Sequence, residues 1–571
     1  MLEQHFLSSK AISNLPIVIP TPSATCRFLA AALGLLAAAS AIPVTLAAQL
    51  GAPITYAVTF PSRATHFLHV QAQLPTDRQP SVELMMAVWS PGYYQVENYA
   101  DNVDSVRAWA PDGSPLAVQR SRRNRWQVET NGAPSVNVSY RVKADRKFVT
   151  ADWVGDSLFV LNGAPTFMTL VNGQSRPAVV DLTLPAGWTS MTSLDTASDR
   201  VPDHYQADDY DELVDSPIVA AANLQTVQFT MAGKTHMLVD AGAVDDFNAE
   251  QAGRALLRLV GETYRFWGFL PYKRYLFLNV FRPGGGGLEH KNSTLLTVQA
   301  KGTETPAGFQ TWVTFVSHEY FHAYNVKRLR PVELGPFDYE NPPSTTSLWI
   351  AEGLTTYYAD LLDARAGLIR QQDWLTLMSK LIADLQNTPG RHVQTLSQSS
   401  LDVWNSEASG VRMDQEKTVS YYTKGTVLGL LLDAHIRTVT DDTASLDDVM
   451  RAAYAKYSGA QGYTAQQFQQ VADSVAHTDL TDWFHSALDT TDELNYQEML
   501  DWFGLKFAGA GNRTDRWALS VVDKPTPDQV DHLKTILLPD AQQHAPTVPV
   551  VPKPKPDSGR RVHQPTGAAH S

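Results

Sequence analysis

Between Ile54 and about Val142 the chain alternates hydrophobic and polar positions in short runs. "ITYAVTF", "HFLHVQAQL", "VELMMAVW", "RWQVE" and "SVNVSYRV" are rich in β-branched and aromatic residues. "SPGYY", "PDGSP" and "TNGAPS" separate them with turn chemistry. The pattern predicts an all-β N-terminal domain over residues 49–230. Its character changes near Asp245. "DDFNAEQAGRALLRLVGETYRFWGF" places apolar residues at helical spacing. "RYLFLNVF", Arg274 to Phe281, reads as a buried strand, and the run Gly284 to Gly287 then breaks the chain. From Pro306 to about Leu500 most segments read as helices. Residues 231–507 are therefore expected to form a second, mostly helical domain, and the fold class is multidomain α+β. A short extension, 508–543, follows. The Pro-rich segment 544–571 is expected to be a disordered, polyproline-like tail.

Composition narrows the function classes. Hydrophobic residues make up 43% of the 571 residues, enough for sizeable cores. The net charge of -13 argues against a general nucleic-acid binder, which carries a basic face. Near the N-terminus, Lys10 and Arg27 precede the uncharged run "FLAAALGLLAAASAIPVTLAA", Phe28 to Ala48. This is a secretory signal pattern, so 1–48 is expected to be removed and the protein secreted, in the periplasm of a bacterium. The alternative is an uncleaved membrane anchor, since the run is close to the length of a span. No stable membrane insertion is expected after cleavage. The single cysteine, Cys26, lies inside this segment. A metal site in the mature chain must use His, Asp and Glu.

The chemistry concentrates in "TFVSHEYFHAYNVKRLRP", Thr314 to Pro331. Thr305 is a candidate N-cap with Pro306 at the first helical position. Lys327, Arg328 and Arg330 cluster near the other end, and Pro331 marks a stop. His318 and His322, four apart, project from one helix face and can grip one zinc ion, while Glu319 can reach the water it activates. Burying His-Glu-His without a metal would leave polar groups in need of partners. A catalytic zinc takes a third protein ligand and keeps an open position. Glu352, in "SLWIAEGLTTYYADLL", is a carboxylate among apolar neighbours and supplies that ligand. The expected cofactor is one zinc ion per chain, held by His318, His322 and Glu352.

Two further segments bear on substrate. In "FRPGGGGLEHKNST", Gly286 and Gly287 let an extended peptide approach the backbone, and Glu289 can hold a free α-ammonium. The bland alternative is a flexible surface turn. In "TVSYYTKGTVLGLLLDAHIR", Tyr421 and Tyr422 precede a helical pattern, and a tyrosine hydroxyl aimed at the metal can stabilise an oxyanion. An ordinary core tyrosine is the alternative there.

In this order, "WSPGYY", "GGGGLEH", "SHEYFHAYNVKRLRP", "LWIAEGLTTYY" and "SYYTKG" resemble the glycyl aminopeptidase (M61) family of zinc peptidases. The similarity spans roughly residues 54–507. The resemblance implies an N-terminal β domain followed by a thermolysin-like catalytic domain. It implies Glu319 as general base and Glu289 as the amine-anchoring glutamate. "YTKG" is similar to the Tyr-x-Lys-Gly of related alanyl-type enzymes and selects Tyr422 as the oxyanion residue. The implied activity is removal of N-terminal Gly or Ala from peptides with a free N-terminus. A zinc endopeptidase, or a non-catalytic peptide-binding protein of the same fold, is the alternative. Many members carry a PDZ domain after the helices; residues 508–543 are too few for one.

Overall fold

The alternation that marks the first strands sends every second side chain into one core. In Ser135–Lys143, Val136, Val138, Tyr140 and Val142 are buried while their neighbours face outward. The structure is a computed structural model that describes residues 51–404, 414–537 and the two-residue strand Val551–Pro552. The expected signal segment and most of the Pro-rich tail lie outside the described residues. Among the described residues, no helix is long and apolar enough to cross a membrane.

The N-terminal region is all β, as its pattern predicts. Its largest sheet has eight strands, with Ile54–Thr59 paired parallel to Ala178–Thr183 on one side and antiparallel to Phe67–Pro75 on the other. Two four-stranded sheets accompany it. The next sheet opens the second half of the chain. Gln225–Met231 and Lys234–Gly242 form an antiparallel hairpin. The expected boundary between 230 and 231 therefore falls at a hairpin, with strands of one sheet on both sides, while the change of character near Asp245 comes after the second of them. Lys234–Gly242, Arg274–Phe281 and Ser293–Val298 run parallel, and helix Ala249–Trp267 makes the crossover that parallel neighbours require. Gly286–Glu289 is the antiparallel edge strand. At the opposite edge Val551–Pro552, in the tail expected to be disordered, pairs with Val227 and Gln228. An open strand edge accepts such a partner whatever the composition of the segment.

The rest is helical, so the multidomain α+β class holds. Helix Pro306–Phe321, the motif helix, starts as its sequence predicts. Thr305 Oγ1 accepts from the Gly308 N–H, and Pro306 takes the first helical position. It ends earlier than the basic cluster suggests, with Phe321 as its last residue and His322 as its C-cap. The backbone leaves the helix within four residues, and Val326 has φ +91°. Lys327 is not a helix-end charge. It is buried, and its Nζ lies 2.6 Å from Asp215 Oδ1 in the β region.

This pair centres a buried network between the two halves. His290 Nδ1 lies 3.3 Å from Asp215 Oδ1, and the Lys291 N–H donates to Asp215 Oδ2 at 2.7 Å. Tyr339 Oη donates to Asp211 Oδ1 at 2.5 Å. Burial raises the Asp215 carboxyl, but Lys327, His290 and Lys291 outweigh it and hold it below the usual carboxylate range. The stability this contributes is full above the unfolded value near 3.8 and is lost as pH falls through the lower folded value. Lys327→Met strands Asp215 without its main cation. It is expected to cost about 3–5 kcal/mol in urea unfolding at neutral pH.

Candidate metal centre and active site

The motif helix packs against helix Leu354–Arg365, and this contact brings the candidate ligands together. Glu352 lies in a π-helical turn, Trp349–Gly353, that leads into that helix. One extra residue in a helical turn re-aims the side chains that follow, and such turns mark functional sites. The Glu352 side chain is 2% exposed, and its Oε2 lies 3.5 Å from His318 Nε2 and 3.3 Å from His322 Nε2. The two Nε2 atoms are 3.1 Å apart. The three ligand atoms thus lie within 4.8 Å of one another.

The other ring nitrogens are held from behind. His322 Nδ1–H donates to the Asn325 carbonyl at 3.0 Å, which leaves the Nε2 lone pair facing inward. His318 Nδ1 pairs with Thr356 Oγ1 at 3.2 Å. The Asn325 side chain donates to the Ile350 carbonyl at 2.7 Å and to Thr355 Oγ1 at 3.0 Å. It thereby ties the end of the motif helix to the turn that carries Glu352. Outer partners of this kind fix ring orientation at metal centres.

Glu319 and Glu289 meet His322 from the other side, again within 4.8 Å. Glu289 is no surface acid. It ends the edge strand, is 3% exposed, and its buried Oε1 has no hydrogen-bond partner. Burial raises Glu319 well above the usual range; His322 opposes this, and Glu289 and Glu352 add to it. Burial raises Glu289 too, against His322 and Lys327. Burial lowers the His322 imidazole, yet Glu352, Glu289 and Glu319 together push it up to about 10. Three buried carboxylates around two imidazoles stabilise positive charge here. A divalent cation fits this donor set, and with oxygen and nitrogen donors only, zinc is a suitable one.

Glycines set the spacing. A Cβ at Gly287 would collide with the Glu319 carboxylate, so the edge strand runs directly beside the candidate base. Gly286 (φ +137°) faces Val149 and Phe148 of the β region instead. A Cβ at Gly353 would stand 2.6 Å from Gly425 Cα, so these two glycines are a helix crossing point. That close approach seats helix Tyr421–Val439 against the Glu352 turn. Tyr421 and Tyr422 lie in its first turn rather than before it, with Ser420 as N-cap. Tyr421 is buried. Tyr422 is 37% exposed, and its ring lies 6.1 Å from that of His318, between centroids.

Two contributors carried no assigned role in the sequence. Tyr94, in "WSPGYY", donates to Glu352 Oε1 at 3.2 Å from the β region. Gly92 (φ +96°) presses on the Glu289 carboxylate so closely that a Cβ would overlap it. The signal was present as a glycine–tyrosine turn, yet nothing local tied it to a metal site. Trp89 anchors the loop, its Nε1–H donating to the Asp338 carbonyl at 2.8 Å.

Residues 55–222 match the Peptidase M61 N-terminal domain, and residues 311–428 match the M61 glycyl aminopeptidase domain, which contains both histidines, Glu319 and Glu352. The chain belongs to the M61 peptidase family. It is a metallopeptidase. Among solved structures, this M61 peptidase is similar to an aminopeptidase N family protein from Idiomarina loihiensis. The identity is 25% and the TM-score 0.74, over 79% of this chain and 78% of that one. An M1 zinc metallopeptidase from Deinococcus radiodurans aligns at 13% identity and TM-score 0.49, over 78% of this chain and 94% of that one. No curated protein matches the chain.

The glycine at the edge strand gives a direct check. Gly287→Ala must displace Glu319, and a shift near 1 Å in a positioned group costs about 100-fold in rate. Turnover is expected to fall by that order while metal content, measured by elemental analysis, stays at the level of the unaltered protein.

Proposed function

We propose that this metallopeptidase is a zinc aminopeptidase that removes single N-terminal residues from peptides. The observation that carries the reading is Glu289. Its carboxylate is buried, lacks a partner on one oxygen, and stands beside Glu319 at the end of an open strand edge. A peptide's α-ammonium meets that need, and a peptide bond in mid-chain does not.

His318 Nε2, His322 Nε2 and Glu352 hold the zinc ion. When bound, it supplies the Lewis acidity that acidifies water and polarises the scissile carbonyl. Glu319 accepts the proton of the attacking water and delivers it to the leaving amine nitrogen. Its raised affinity for protons, set by burial and the neighbouring carboxylates, suits it to that shuttle. The Tyr422 hydroxyl donates to the oxyanion that develops on the former carbonyl. Gly286 and Gly287 offer backbone groups to the extended substrate, and Glu289 fixes its first residue.

The family resemblance suggests Gly or Ala as that first residue. Gly92 stands against Glu289, and the rings of Tyr94 and Trp404 pack edge to face 6.0 Å apart beside Glu352, which supports a small side chain. The N-terminal targeting pattern supports a secreted, periplasmic location.

The test compares a Gly-led peptide with its N-acetylated twin, with and without a chelator. Chelator-sensitive release of glycine from the free-amine peptide alone is the expected result. Cleavage of both at an internal bond would make the protein an endopeptidase. Glu319→Gln is expected to retain zinc and lose at least about 10³-fold in kcat. Glu289→Ala is expected to lose the discrimination between the twins, seen as a collapse of the kcat/KM ratio towards unity.

A further inference from the structure

Beyond Gly286 two cations, Arg282 and Lys147, stand against the Trp153 ring, and neither pairs with an acid among the described residues. Arg282 opens the turn that leads into the glycine run. It is 7% exposed, and its Nε, Nη1 and Nη2 are buried without hydrogen-bond partners. Burial pushes its pKa down to about 10, and no nearby acid offsets that. Its guanidinium lies 5.9 Å from the centre of the Trp153 ring. Lys147 Nζ stands 4.5 Å from the same ring and makes no ion pair among the described residues. An unpartnered buried guanidinium is costly, and a second cation over the same indole adds repulsion. Such a pair calls for an anion, and a carboxylate forms a charge-assisted hydrogen bond with an ammonium group such as that of Lys147.

The direction of a bound peptide says which carboxylate. An amine held at Glu289 makes the substrate run from Glu289 towards Gly286, antiparallel to the open edge strand. Val149 and Phe148 face Gly286, and the Lys147 carbonyl lies 3.4 Å from where a Gly284 Cβ would stand. Extended chain advances about 3.4 Å per residue, so three or four residues span about 10–14 Å. That length carries the chain along the edge strand towards Gly284, which the backbone of Lys147 approaches.

We propose that Lys147 and Arg282, both standing against the Trp153 ring, form a subsite for the C-terminal carboxylate of short peptides, about three or four residues long. Exposed Lys147 makes the direct contact. Arg282, buried against the same indole, supplies positive charge that no group among the described residues balances. The inference rests on the aminopeptidase reading above and adds the substrate class: short peptides with both ends free.

The experiment measures kcat/KM for Gly-Ala-Ala and for its C-terminal amide, both with a free amine. The acid is expected to exceed the amide by at least about tenfold, mainly through KM. In Lys147→Ala the acid loses its advantage and the ratio falls to within about twofold of one. Because Lys147 is exposed, that variant tests the subsite without disturbing a core. Arg282→Gln gives a second reduction of the ratio. Amidation of an eight-residue peptide, whose end lies beyond the subsite, is expected to change nothing. Equal release of glycine from acid and amide overturns the subsite and leaves the aminopeptidase reading standing. Release from neither overturns that reading, and the subsite with it.

Discussion

Charge that the protein cannot satisfy by itself governs the design of this molecule. Glu289, Glu319 and Glu352 are buried within reach of two imidazoles. Carboxylates removed from water are tolerated only with compensating positive charge. The surroundings hold that imbalance in place. The His322 and His318 rings are pinned at Nδ1, Asn325 ties the motif helix to the Glu352 turn, and Tyr94 occupies the remaining oxygen of Glu352. None of these contacts neutralises the site. They keep it aimed, with a donor set that a divalent cation fits.

Glycine contacts explain how so many groups share a small volume. Gly287 brings the edge strand beside Glu319, Gly92 brings the β region against Glu289, and the Gly353–Gly425 crossing brings the tyrosine-bearing helix close to Glu352. Each places backbone where a side chain would otherwise stand. The site thus combines the motif helix with four other segments far apart in sequence, and each of those four contributes a glycine at a close contact.

Much of this was legible where the cause is local. The cap at Thr305, the four-residue spacing of His318 and His322, and the apolar flanks of Glu352 belong to single segments, and a sequence records them directly. The end of the motif helix was misread because Lys327 and Arg330 look like helix-end charges. Lys327 in fact answers Asp215, more than a hundred positions earlier, and that partner is invisible in the local pattern. Tyr94 and Gly92 were quoted as part of a motif but had no chemistry, since their role depends on a contact made across the fold. Gly425 looked like a feature of one helix, and its purpose becomes visible only beside Gly353. The pairing of Val551–Pro552 was hidden by a composition that favours extended, unpaired chain.

The hydrogen bond from Tyr94 to Glu352 joins positions 258 residues apart. The bond therefore joins the β region to the helical half across most of the length of the catalytic unit. A closed site thus exists only after both halves have docked. A chain truncated within the β region would keep His318, His322 and Glu352 but would leave Glu352 Oε1 without its Tyr94 partner.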